Sequence, residues 1–135
     1  MEKYETLNVY TDGGSRGNPG PGAIAIVICD ESGEVVKEHC ECIGRTTNNQ
    51  AEYSAVIKAL ELSSRLCKEL KLFSDSKLVV NQLSGDWKVR DEDLKPFFAR
   101  VQELEMSFKK VSYIHIRREK NKRADELVNE ALDSK

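Results

Sequence analysis

Four acidic residues stand where carboxylates commonly do chemistry. Asp12 and Asp75 follow short apolar runs with strand character, and Glu52 and Asp125 lie near the starts of segments with helical periodicity. Side chains at the carboxyl ends of parallel strands share one edge of an α/β sheet, where such proteins build their sites. We therefore expect the four carboxylates to converge in one pocket.

Such a pocket calls for cations, because neighbouring anions raise one another's pKa values. All-oxygen ligands suit hard ions such as Mg²⁺ or Mn²⁺, and two ions about 3.5–4 Å apart can clamp the oxygens of an in-line phosphoryl displacement. Each acid also has a purely structural interpretation. Asp75 could cap a helix, and Glu52 and Asp125 could be first-turn acids that favour the helix dipole.

The elements that position these acids follow from the hydrophobic pattern. We expect a strand up to Asp12, a loop over the glycine-rich residues 13–22, a doubly covered strand over 23–29 and its hairpin return over 35–43. We expect a first helix that is capped by Asn48 or Asn49 and extends far enough to include Cys67 on its apolar face. Residues 70–73 predict a strand and residues 78–83 a short helix.

Residues 94–108 then predict a third helix, residues 111–116 a last strand, and Asn121 opens a final helix. The order β-β-β-α-β-α-α-β-α predicts an α/β fold with a mixed five-stranded sheet flanked by helices. The crossover rule places the strand before Asp75 beside and parallel to the first strand.

Size and composition limit the class of protein. The 135 residues, 39% hydrophobic and 33% charged, predict one soluble domain over residues 1–135. No apolar run approaches the roughly 20 residues that span a bilayer, and the N-terminus has no signal-peptide pattern. We expect a cytoplasmic monomer without a membrane partner. Four cysteines lack a convincing zinc spacing, and their disulfide state stays open: Cys29, Cys40, Cys42 and Cys67.

The charge is unevenly distributed although the net charge is only −2. Residues 109–123 contain seven basic side chains and one acid, a net charge of +6. A field of this kind can steer a polyanion to one face, and a solvated helix start is the alternative interpretation.

Four segments carry a family resemblance: residues 10–22, 46–52, 74–76 and 121–127, which read YTDGGSRGNPGPG, TTNNQAE, SDS and NKRADEL. Together and in this order they resemble ribonuclease H of type 1. The resemblance implies a ribonuclease H-like fold in which Asp12, Glu52, Asp75 and Asp125 are catalytic acids that bind two Mg²⁺ ions, with Mn²⁺ as a substitute. It also implies endonucleolytic hydrolysis of the RNA strand of RNA–DNA hybrids, leaving 3′-hydroxyl and 5′-phosphate ends.

The resemblance further implies a hybrid-binding surface, although glycines that only turn the chain and asparagines that only cap a helix are the alternative. Contacts to the minor groove, to sugar hydroxyls and to a DNA phosphate would come from Gly13, Gly14, Asn18, Thr47, Asn48 and Asn49. A protein that distinguishes RNA from DNA has to contact the 2′-hydroxyl.

The chain departs from well-known bacterial members in two places. The loop before the last acid has no histidine, so Arg118 is the candidate for holding a phosphate or aiding product release. Residues 86–91 replace a basic handle, so the chain resembles the compact branch, and Trp87, Lys88 and Arg90 would have to contribute to binding. A nucleic-acid-binding module without turnover and another nuclease on the same fold, either an exonuclease or one that also cuts RNA duplexes, remain the rival functions.

Overall fold

A computed structural model of the chain describes residues 3–134. Its strands are β1 (Tyr4–Ser15), β2 (Gly20–Cys29), β3 (Val35–Thr46), β4 (Cys67–Ser74) and β5 (Lys110–His115). Its helices are α1 (Asn48–Ser63), α2 (Lys77–Leu83), α3 (Lys95–Glu105) and α4 (Lys122–Asp133), with a 3₁₀ turn over Arg118–Lys120. No helix within the described residues is long and apolar enough to cross a membrane.

The strands form one mixed sheet in the order β3-β2-β1-β4-β5. β1 pairs antiparallel with β2 and parallel with β4, and β4 pairs parallel with β5. The predicted element order, the mixed five-stranded sheet and the parallel pairing of the strand before Asp75 with the first strand are confirmed. The β1–β4 register pairs Thr11 with Ser74, so the next residues, Asp12 and Asp75, lie side by side.

Helices cover the two faces of the sheet unequally. α1, α2 and α3 lie over one face on a core of large side chains such as Leu7, Tyr53 and Leu72, each 0% exposed. α4 lies over the other face on a smaller cluster that contains Ala25 and Val128. Its buried positions are those that the helical periodicity predicts: Ala124, Leu127, Val128 and Ala131.

The predicted loop over residues 13–22 is wrong at both ends, because β1 continues to Ser15 and β2 begins at Gly20. Gly13 lies inside a strand because α1 passes directly over it: a Cβ there would stand 2.2 Å from the carbonyl oxygen of Ala51. Only Gly17, with φ of 104°, uses the left-handed region within residues 13–22. Most of these glycines serve close packing, which the sequence does not distinguish from turn formation.

Three local predictions around α1 are also wrong. Thr47 is the N-cap, in place of Asn48 or Asn49, because it forms a capping box with Gln50. Glu52 therefore lies beyond the first helical turn. Cys67 belongs to β4, since α1 ends at Ser63.

Candidate active site

Three of the four predicted acids meet at the carboxyl end of the two central parallel strands. Asp12 projects from β1, Asp75 follows β4, and Glu52 comes down from α1 over the same edge. One carboxylate oxygen from each lies within 4.8 Å of the others. The backbone N–H of Gly13 donates to Glu52 Oε1 at 3.0 Å, which fixes this carboxylate against β1.

The environment of these acids opposes their ionisation. Burial first, and then the charges of Asp75 and Asp125, raise the pKa of Asp12 to about 7. Burial and then the charges of Asp12 and Asp75 raise the pKa of Glu52 well above its usual range. Like charges this close are stable as anions only with cationic partners. The trio is therefore arranged as a set of oxygen ligands for a divalent cation.

Asp125 approaches the trio from the opposite face of the sheet. It lies in the first turn of α4, and its charge contributes to the raised pKa of Asp12. It stands outside the tightest group of ligand atoms but lines the same open cavity, of about 420 Å³. All four acids thus line one pocket, and charges on both sides of the sheet, Asp75 and Asp125, raise the pKa of Asp12.

Asn121 sets the position of α4 relative to β1. Its side chain is 2% exposed, and its Nδ2 atom donates to the carbonyl oxygen of Thr11 at 2.8 Å. Its own carbonyl oxygen accepts from the backbone N–H of Asp125 at 3.1 Å. One buried residue therefore connects the backbone next to Asp12 with the turn that carries Asp125. The sequence motif contained Asn121, but nothing in its pattern indicated this role.

Arg118 provides a cation at the rim of the pocket. Its Nη2 atom lies 3.7 Å from Asp125 Oδ1, and 81% of its side chain is exposed. An exposed ion pair at this distance is weak. The guanidinium can therefore exchange Asp125 for an anionic group that enters the cavity.

The predicted substrate-binding residues are only partly brought together. Gly13, Gly14 and Asn48 line the acid cavity, as does Arg118. Asn18 lies at the side of the cavity, where its Oδ1 atom accepts from the backbone N–H of Asn48 at 3.0 Å.

Thr47 and Asn49, at the start of α1, differ in whether their side chains are free to bind a substrate. Thr47 uses its hydroxyl to accept from the backbone N–H of Gln50 at 3.2 Å, so its oxygen already has a structural role. Asn49 is exposed next to it. Ser15, which sequence reasoning missed, also lines the cavity, and its backbone N–H and hydroxyl both donate to Asn48.

The basic segment 109–123 does not form one patch. Lys110 lies at the start of β5 and His115 at its end beside Ser74, so the first lysines lie at the far end of the strand from the acids. Arg123 is held by Glu38, with N–O distances of 2.8 and 2.9 Å. The segment therefore does not present a single cationic face, since Arg118 is its only basic residue that lines the acid pocket. The four cysteines, left open by the sequence, are free thiols.

The comparisons with known proteins agree on one family. A family profile described as "Reverse transcriptase-like" matches residues 10–131. A ribonuclease HI of Halobacterium salinarum is 46% identical over 128 residues, which make up 94% of this chain and 64% of that protein. Its crystal structure superimposes with a TM-score of 0.93 at 45% identity, covering 96% of this chain and 99% of the solved one.

Two further relatives extend this result. LC11-RNase H1, isolated from compost by a metagenomic approach and solved in complex with an RNA/DNA hybrid, has a TM-score of 0.90 and 47% identity over 95% of this chain and 97% of that one. A bifunctional protein of Mycobacterium tuberculosis is 42% identical over 128 residues, which make up 93% of this chain. The chain spans only 35% of that protein's length and less than two thirds of the halobacterial one.

Proposed function

The chain belongs to the ribonuclease H family, and from this membership we propose that it is an endonuclease that hydrolyses the RNA strand of RNA–DNA hybrids. The observation that carries the proposal is the group formed by Asp12, Glu52 and Asp75, whose ligand oxygens lie within 4.8 Å of one another. A relative at 47% identity was solved with an RNA/DNA hybrid, which supports the substrate class.

The acids of this chain fit a pair of divalent cations. Their ligand oxygens are close, and burial first and then the neighbouring carboxylates raise the pKa values of Asp12 and Glu52. Mg²⁺, with Mn²⁺ as a substitute, suits such a ligand set. When bound, two such ions would polarise the scissile phosphate and lower the pKa of a water.

The residues divide between the two sides of the pocket. We propose that Asp12 would help to hold both ions, because it groups with Glu52 and Asp75 and the charge of Asp125 also raises its pKa. Asp125 and Arg118 would face the attacking water and the phosphate, respectively. The water oxygen forms a new bond to phosphorus while the bond to the ribose 3′-oxygen breaks, which leaves a 3′-hydroxyl and a 5′-phosphate.

The surface beside the acids would hold the hybrid. Gly14, Asn18 and Asn48 lie beside the cavity with exposed or half-exposed side chains or backbone, and Asn49 is exposed in the same helical turn. Gly13 contributes its backbone N–H to Glu52, so its proposed part is to allow α1 to approach β1. Trp87 is 45% exposed in the segment that precedes α3, which supports a stacking contact.

A cleavage assay tests the proposal. The protein is incubated with Mg²⁺ or Mn²⁺ and a labelled RNA–DNA hybrid, an RNA duplex or a DNA duplex, with Asp12→Asn as the inactive control. We expect internal cuts in the RNA strand of the hybrid with 5′-phosphate ends, and a loss of at least about a thousandfold in Asp12→Asn. Trimming from an end would indicate an exonuclease, and binding without cleavage would indicate a binding module.

Three further expectations belong to the same proposal. Residues 1–135 act as one catalytic domain, the protein is a monomer, and it works in the cytoplasm. Light scattering on the purified chain measures its mass in solution, and a mass of about twice 15.3 kDa would contradict the monomer.

A further inference from the structure

A row of three non-polar side chains crosses the sheet just before the acid pocket. The strand registers pair Tyr10 of β1 with Phe73 of β4, and Phe73 with Ile114 of β5. The rings of Tyr10 and Phe73 are stacked, with centroids 4.8 Å apart and an interplanar angle of 15°. Tyr10 precedes Asp12 by two residues, so strand alternation places the row on the face of the sheet to which Asp12 projects.

The helix on this face leaves most of the row uncovered. α4 packs on β1, β2 and β3, whereas α1, α2 and α3 lie on the opposite face. Tyr10 packs against the edge of the cluster beneath α4, but among the described residues Phe73 and Ile114 belong to neither apolar cluster. All three side chains are partly exposed. Apolar surface with a stacked aromatic pair is therefore accessible to a partner.

Lysines border the row on two sides. Lys71 precedes Phe73 by two residues, so it lies on the same face of β4, and it is exposed. Lys120 is exposed beside Tyr10, where both residues line a cavity of about 210 Å³. Within residues 3–134 neither lysine forms an ion pair. Glu69, the only acid of β4, lies two residues farther from the row than Lys71, so both cations are free to bind an anion.

The turn after β5 connects the row with the acid pocket. Arg118 lines the acid pocket, and Lys120, two residues later, lines the cavity beside Tyr10. Arg117, which directly precedes the turn, is also exposed. A polyanion that leaves the acid pocket over this turn therefore meets a basic side chain at each end of it.

We propose that the row, together with Lys71 and Lys120, binds the unpaired part of an RNA strand that continues beyond the hybrid. The inference rests on the proposed function, because the strand that reaches the acids is the one that is cut. An unpaired base exposes its faces, and stacking on aromatic side chains is a common way for proteins to bind single strands. The lysines would neutralise the phosphates between such bases. A paired base offers no free face, so the row distinguishes single-stranded RNA from the hybrid.

Extended hybrids test this inference. Fluorescence anisotropy in EDTA, which prevents cutting, compares a blunt RNA–DNA hybrid with the same hybrid carrying about eight unpaired RNA nucleotides at the 5′ or the 3′ end. We expect one of the two extensions to lower Kd about tenfold, the gain that one stacked base supplies. Cleavage of the blunt hybrid with Mg²⁺ tests the proposed function separately.

Variants of the row separate stacking from charge. Phe73→Leu removes the ring and keeps an apolar side chain, so most of the gain from the extension should disappear while Kd for the blunt hybrid and the melting temperature stay near wild type. Phe73→Tyr keeps the ring and should restore the gain. Lys71→Glu should also remove the gain. Lys37→Glu is the matched control, since it makes the same change in charge at an exposed position of β3, the strand at the other edge of the sheet.

The outcomes are distinct. If neither extension improves binding, or if the gain survives in both Phe73→Leu and Lys71→Glu, the inference is overturned, and cleavage of the blunt hybrid leaves the proposed function standing. A gain that Lys37→Glu removes equally would reduce the effect to net charge and would also overturn it.

Two other occupants of the row are tested as well. An equal gain from an unpaired DNA extension would overturn the assignment to the RNA strand. A wild-type dimer that Phe73→Leu converts to a monomer in light scattering would assign the row to a second copy of the chain. A wild-type chain that does not cut the blunt hybrid would remove the proposed function, and the inference with it.

Discussion

The two faces of the sheet hold their acids by different means. On the α1 face, Glu52 is carried by a helix whose large side chains, such as Tyr53 and Leu60, are 0% exposed against the sheet. On the α4 face, Asp125 is carried by a helix that packs largely through small side chains. Half of the buried members of this cluster are alanines: Ala23, Ala25, Ala124 and Ala131.

Small side chains bury less apolar area, so α4 gains less from packing than α1 does. The small side chains also let the helix come close to the strands, where polar contacts can act. Asn121 binds the backbone of β1, and Arg123 binds Glu38 of β3. The comparison indicates that α1, which carries Glu52, is held mainly by apolar packing, whereas the buried hydrogen bond of Asn121 contributes to the placement of α4 and Asp125.

The largest loss of stability is expected on the α1 face of the sheet, where α1 comes closest to β1. In Gly13→Ala the new Cβ would lie 2.2 Å from Ala51 O and 2.8 Å from Glu52 N, so α1 has to move away. We expect a loss of about 3 kcal/mol, seen as a melting temperature lower by roughly 10 °C, together with loss of cleavage. Gly14→Ala is the matched control, since its Cβ would meet only Val128, at 3.9 Å. Equal melting temperatures in the two variants would contradict the account of α1.

The next largest effect concerns Asp12, whose raised pKa makes the stability of the protein depend on pH. In metal-free protein the folded-state pKa of Asp12, about 7, lies above the ordinary value of 3.8. The stability that its proton supplies is therefore present below about pH 4 and is lost as the pH rises through about 7.

Asp12→Asn should accordingly melt roughly 5 °C above wild type at pH 8 without metal, and the gap should shrink toward pH 4. Mg²⁺ should raise the melting temperature of wild type more than that of the variant. Thermal melts over pH 4–8, with EDTA or with Mg²⁺, measure both effects. A gap that does not depend on pH would mean that Asp12 titrates normally.

The smallest change in melting temperature is expected on the α4 face of the sheet. Asn121→Ala removes the buried bond to Thr11, and we expect a melting temperature lower by about 3 °C. Because Asp125 would then be held less firmly, the Mg²⁺ concentration for half-maximal cleavage should rise several-fold. Arg123→Ala, which removes exposed ion pairs from the same helix, should change either quantity little. Matching Mg²⁺ curves for the two variants would mean that hydrogen bonding does not position Asp125.

Much of the fold could be predicted because periodicity reports burial directly. The inward positions of α4, the doubly buried β2 and the parallel neighbours β1 and β4 all followed from apolar spacing and the crossover rule. The errors arose where long-range contacts decide local structure. Gly13 is a strand residue because α1 crosses it, and Thr47 caps α1 because Gln50 completes its capping box.

The candidate site also contains residues that could be predicted from the sequence and residues that could not. The convergence of Asp12 and Asp75 follows from strand register, which topology fixes, and the structure places both in one cavity with Glu52 and Asp125. The residues that orient the site could not be predicted from the sequence. Asn121 and Ser15 act through partners far away in the chain, and no spacing rule records a bond from Asn121 to Thr11 or from Ser15 to Asn48.

The chain order of the pocket has a consequence for synthesis on the ribosome. Asp12 emerges before Asp125, which lies in α4, and before Asn121, which directly precedes that helix. A nascent chain can form the β1–β2–β3 hairpins and α1 while Asp12 still lacks its partner from α4. The proposed cutting activity would therefore begin only once α4 has left the exit tunnel and docked.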